Sequence, residues 1–125
     1  MQGEVCMEAL INTLLSINFY ELDTDDILKE RNVEAFKKEW LRVFNSIEMK
    51  KNENTYSAVN KEYTGRIREN VFGKIYRRTG DSELAEIISD DFVLIADSFI
   101  LGYKDNWLDK MIECYGYAVI PAGEL

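Results

Sequence analysis

The stretch NVEAFKKEWLRVFNSI, residues 32–47, decides the fold class. Its apolar residues Val33, Phe36, Trp40, Val43 and Ile47 recur at intervals of three and four. An α-helix turns once in about 3.6 residues, so this spacing collects all five on one face, whereas a half-buried strand would alternate. Asn32 stands where an N-cap belongs, with its side-chain oxygen able to accept from an unpaired backbone N–H of the first turn. The segment is predicted to be a helix with one face in a core.

Reading outward toward the C-terminus, Lys50–Asn54 is polar and is expected to be a loop. A fourth helix is expected from about Thr55 to Arg78, with Tyr56, Val59, Tyr63, Ile67, Val71 and Ile75 on its buried face. Gly65 and Gly73 each weaken it by about 1 kcal/mol relative to alanine, which suggests a bend or a close helix approach at one of them. Gly80 is placed to end it. Asp81 or Ser82 begins a helix containing Leu84, Ile87 and Ile88. Ser89 is then predicted to cap a new one, with Asp90 and Asp91 in its positive first turn and Phe92, Ile95, Ala96 and Phe99 buried. Gly102 has the character of a C′ residue. Asp105 can cap a last helix carrying Trp107, Leu108, Met111, Ile112 and Tyr115. The tail from Gly116 is expected to be extended or loosely held.

Toward the N-terminus, Thr24 is the predicted cap of a short helix with Asp25 and Asp26 in its first turn. A turn over residues 18–23 precedes it, with Phe19 and Tyr20 suited to an extended stretch. A first helix spans Glu4 to Ile17, with Val5, Leu10, Leu14 and Ile17 on its apolar face. Proline occurs only at Pro121, so helices can run freely. Residues 1–125 are therefore expected to form a single all-α domain, a compact, roughly antiparallel bundle of five to six helices. A short extended segment near the C-terminus is allowed.

Chemistry is constrained chiefly by what is missing. There is no histidine, which removes the commonest general base and the commonest zinc ligand. The two cysteines, Cys6 and Cys114, make neither a CxxC pair nor a disulfide framework and read as reduced thiols. No phosphate-cradling glycine loop is present. The run Asp23-Thr24-Asp25-Asp26 begins like a calcium loop, with Glu34 at its twelfth position. Ile27 and Leu28 then fall where that loop needs an oxygen ligand and a glycine. Asp90 and Asp91 are adjacent carboxylates that helix capping explains better than paired acid–base work. Asp105, Asp109 and Glu113 recur at intervals of four and form an acidic stripe suited to docking more than to a metal. No catalytic residue, metal site or cofactor is expected. The first residues lack a basic n-region, and the longest apolar run, residues 92–101, is broken by Asp97 and Ser98. A cytoplasmic protein without a membrane segment is expected.

Charge carries the functional signal. The formal net charge is −8. Residues 1–26 hold six acids and no base, residues 27–80 hold thirteen bases against seven acids, and residues 81–125 hold ten acids against two bases. Dense acidic ends favour fast, steered association with a basic protein. The expected function is a small acidic binding protein that neutralises or regulates such a partner. Its concrete form is a bacterial immunity protein or antitoxin against a nuclease toxin. The expected contact residues are Asp23, Asp25, Asp26, Asp90, Asp91, Asp105, Asp109 and Glu113, with Trp107 as an aromatic anchor. The alternative is a nucleic-acid-associated or regulatory helical protein using Arg66, Lys74 and Arg78, which form a stripe with Asn70 along the fourth helix. Against that stripe stands pairing of the basic middle with the acidic ends inside the molecule.

Overall fold

A computed structural model describes residues 2–125, with side chains from Cys6 onward. Val5, predicted on the apolar face of the first helix, lies outside the described side chains. Six α-helices follow in order: α1 (Gln2–Leu15), α2 (Thr24–Arg31), α3 (Glu34–Glu53), α4 (Ala58–Thr79), α5 (Ser82–Leu101) and α6 (Asn106–Gly116). A 3-10 turn, Phe19–Glu21, lies between α1 and α2 where an extended stretch was expected. No strand occurs among the described residues, and the protein is an all-α bundle.

The helix ends follow from local chemistry, in places one residue away from the sequence expectation. Asp23 rather than Thr24 caps α2, its Oδ1 accepting from the Asp26 N–H at 3.0 Å. Asn32 closes α2 instead of opening α3, which starts from Val33 without a side-chain cap. Residues 50–53 continue α3 where a loop was expected, because Lys51 bridges Glu48 on its own helix and Asp97 on α5. Ser57 caps α4 through Asn60 N–H, so Tyr56 lies ahead of the helix and Val59, predicted buried, is exposed.

The largest departure is α5. It is one uninterrupted helix, and Ser89 caps nothing. Its hydroxyl donates back to the Glu86 carbonyl, which satisfies it within the helix. Nothing between Ser82 and Leu101 breaks the backbone, so Asp90 and Asp91 lie mid-helix rather than in a first turn. Gly80 and Gly102 end α4 and α5 in the left-handed conformation, φ 67° and 65°. Gly65 marks no close helix approach: a Cβ there would meet nothing within 4 Å.

Helix α5 is the core of the bundle and packs against α1, α3 and most extensively α4. Its Leu84, Ala85, Ile88, Phe92, Leu94, Ile95 and Ala96 are all buried, which makes it apolar on nearly every side. The amphipathic helices around it contribute one face each: Met7, Leu10 and Leu14; Phe36, Val43 and Ile47; Ile67, Val71 and Ile75; Leu108, Met111 and Tyr115. The tail is docked rather than loose. Ile120 and Pro121 are buried, and Gly123 N–H donates to the Glu30 carbonyl.

Candidate functional site

The sequence put Asp91 at a helix start facing solvent; the structure puts it at the centre of the molecule. Its side chain is 0% exposed. Arg31 on α2 donates to both carboxylate oxygens, at 2.6 and 2.8 Å. Trp40 Nε1 on α3 donates at 2.9 Å and the Tyr115 hydroxyl on α6 at 2.6 Å. Arg31 also donates to the Pro121 carbonyl at 3.2 Å, which draws in the tail. One carboxylate thus ties four helices together. Burial and the Asp91 charge hold the Tyr115 phenol well above its ordinary range. Burial opposes the Arg31 cation, yet Asp91 outweighs it and raises the Arg31 pKa. Asp91 offers no oxygen to a partner, so its predicted place on a contact surface gives way to this internal role.

A second buried carboxylate, Asp97, pairs with Lys51 at 2.8 Å and accepts from the Tyr56 hydroxyl. Burial, followed by Asp97, pushes the Tyr56 phenol up to about 12. Both buried aspartates fall on the apolar rhythm of α5: Leu84, Ile88, Asp91, Ile95 and Leu94, Asp97 step by three or four. That rhythm was the signal for their burial.

The remaining predicted contact residues separate into occupied and open ones. Asp105 caps α6 through Leu108 N–H and also takes both terminal nitrogens of Arg42, at 2.7 and 3.1 Å. Hydrogen bonding by Arg42 holds its carboxyl below the ordinary range. Asp90 pairs with Arg68. Trp107 is only 8% exposed and packs edge-on against Phe36, so it is a core residue rather than a free anchor. Asp25, Asp26, Asp109 and Glu113 are exposed and make no ion pair among the described residues, and Asp23 is exposed while capping α2. Asp105, Asp109 and Glu113 do not converge. Among the described residues no group of three or more Cys, Asp or Glu side chains could hold a metal ion.

Four ion pairs join the basic middle to the acidic C-terminal part: Arg31–Asp91, Arg42–Asp105, Lys51–Asp97 and Arg68–Asp90. The acids of residues 1–26 with described side chains are in none of the ion pairs. This pairing with the C-terminal part therefore takes up four of the thirteen bases of the middle and leaves open the N-terminal acids with described side chains. On α4, Arg66 pairs with Glu62 at 2.9 Å, while Lys74 and Arg78 have no acidic partner among the described residues. Arg66, Asn70 and Lys74 line a groove between α1 and α4 whose opposite wall carries Glu8 and Asn12.

One apolar groove opens beside the Asp91 network. Phe36, Trp40 and Leu41 of α3 and Ile87 of α5 line it, with Asp90 and Lys37 at its walls, and it encloses about 280 Å³. Leu41 is 53% exposed, and Phe44, stacked on Trp40 at 5.4 Å, is 37% exposed. The sequence pattern missed it because Leu41 and Phe44 lie off the three-and-four spacing that marks the core face of α3.

Among the described residues no helix is long and apolar enough to cross a membrane. No curated protein matches the chain. A protein-family model described as immunity protein PIM1 matches residues 7–122, which takes in most of α1, all of α2 to α6 and the tail as far as Ala122. The chain belongs to the immunity protein PIM1 family.

Proposed function

We propose that this protein protects its cell by binding a toxin protein and holding it inactive. The family match over residues 7–122 carries this reading. The charge distribution supplies the chemistry of the partner. The net charge is −8, and the N-terminal acids with described side chains are left out of the internal ion pairs. Such a surface attracts a basic protein over roughly a Debye length and raises its rate of encounter. A nuclease, whose active cleft must be cationic to hold a phosphate backbone, is the concrete partner. The surface open to it includes Asp23, Asp25 and Asp26 at the start of α2, and Asp109 and Glu113 on α6. No catalytic step by this chain is needed, because occlusion of the cleft suffices. The cytoplasm, where a nuclease would meet its substrate, is the compartment in which the complex forms.

Co-expression tests this directly. Each neighbouring reading frame is expressed in a sensitive host, alone and with this chain. One of them is expected to arrest growth alone and to be harmless beside this chain. Growth arrest that this chain never relieves would refute the proposal.

A further inference from the structure

We propose that the groove between α3 and α5 seats an apolar side chain of the toxin, carried on a segment that bears a lysine or arginine about one helical turn away. The inference rests on a toxin being the partner and names the contact by which it is held. Exposed apolar residues scattered singly are ordinary. Here Leu41 and Trp40, the latter stacked on Phe44, line a groove together with Phe36, Ile87 and Arg31.

The walls are held in place from below. The indole of Trp40 is fixed by its hydrogen bond to Asp91. Phe36 is held edge-on by Trp107 at 5.1 Å and lies under the Arg31 guanidinium at 4.1 Å. A partner side chain entering the groove meets surfaces that have little rotamer freedom left to lose, which is the condition for a strong contact over a small area.

Charge chooses the occupant. On α5, Glu83 lies four residues before Ile87 and Glu86 four before Asp90, so both share their faces of the helix. Both are exposed and in none of the ion pairs among the described residues, whereas Asp90 is paired with Arg68. Within the lining, Arg31 is neutralised by Asp91 and Asp90 by Arg68, so Glu83 and Glu86, outside the lining on α5, are the open charges on that side and call for a cation about one turn from the inserted side chain. Lys37, four residues before Leu41, closes the opposite wall and suits a backbone carbonyl or a carboxylate. A basic toxin segment with an embedded apolar residue meets all three demands.

The test uses the intact chain and the purified toxin found by co-expression. Leu41→Glu places a charge at the groove mouth, Glu86→Lys reverses an open charge on α5, and Val59→Glu is the control at a 73% exposed residue on α4. Affinities and rates are read by interferometry, with melting curves to verify folding. Leu41→Glu is expected to weaken binding roughly 30-fold or more. Glu86→Lys is expected to slow association about 3-fold to 10-fold, and Val59→Glu to stay within about 2-fold. If wild type binds while folded Leu41→Glu binds equally well, the groove proposal fails and toxin neutralisation stands. If wild type does not bind a toxin that it neutralises in cells, both fail. A wild-type dimer in light scattering that Leu41→Glu dissolves would mean a second copy covers the groove, and would overturn the proposal.

Discussion

Replacing Asp91 by leucine removes the acceptor of four hydrogen bonds and the partner of a buried cation. Breaking a buried ion pair from one side costs about 3–5 kcal/mol, because the remaining charge is stranded. Two details of the structure place the value within that range. Arg31 borders the α3–α5 groove, so its guanidinium has a short route to water, which lowers the cost. Trp40 and Tyr115 lose their acceptor, and a stranded buried donor costs about 1–3 kcal/mol, which raises it. A loss of about 4 kcal/mol is expected, a large part of the roughly 5–15 kcal/mol that holds such a domain together. It corresponds to a fall in melting temperature of roughly 10–20 °C for a chain of this size. Urea denaturation followed by circular dichroism measures it. Adding Arg31→Met to the Asp91→Leu background removes the stranded charge and should return at least about 1 kcal/mol, although the pair is far from additive. A loss below about 1 kcal/mol for Asp91→Leu, or two substitutions whose losses simply add, would refute the central place given to this carboxylate.

The Asp97 site is tested by Tyr56→Phe, expected to cost about 1–2 kcal/mol because Lys51 remains as a partner; in wild type, an alkaline absorbance titration should show one tyrosine ionising near the about 12 set by burial and Asp97. Asp105 has a carboxyl held below its ordinary 3.8 by Arg42, so its contribution is complete above that value and is lost as pH falls through the lower, folded one. Asp105→Asn keeps a capping side chain but should flatten the acid limb of the melting curve, by less than about 1 kcal/mol since Arg42 is 43% exposed. Gly102→Ala should destabilise by about 1 kcal/mol because φ there is 65°, whereas Gly65→Ala, mid-helix with open space at its Cβ, should stabilise by up to about 1 kcal/mol.

Local rules made most of the fold legible. The three-and-four spacing from Val33 to Ile47 gave a helix with Phe36, Val43 and Ile47 buried, and Gly80, Gly102 and Asp105 each mark the helix end expected of them. What failed were inferences that needed partners distant in sequence. Ser89-Asp90-Asp91 has the composition of a cap, which outweighed the apolar rhythm that places Asp91 in the core, and Arg31, Trp40 and Tyr115 converging from three other helices are what satisfy the carboxylate there. Lys50–Asn54 reads as a polar loop until Asp97 is seen to receive Lys51, and α3 runs on to Glu53. The tail reads as loose because its anchors, Arg31 and Glu30, lie some 90 residues away in the chain. For the surface, charge blocks alone did not separate acids that are paired inside the molecule from acids that stay open. Asp90 and Asp105 were indistinguishable in sequence from Asp25, Asp26 and Asp109, and Arg68 and Arg42 made the difference, whereas Asp91 carried a signal in the apolar rhythm of α5.

Protection that comes from a physical complex can be measured as one. The direct measurement is light scattering after size-exclusion chromatography of this chain mixed with the toxin that it neutralises, repeated at rising salt. The account predicts a stoichiometric complex whose association slows as salt screens the acidic surface, with toxin activity lost in proportion to complex formed. Full protection of cells with no complex between the purified proteins at any salt concentration would contradict it.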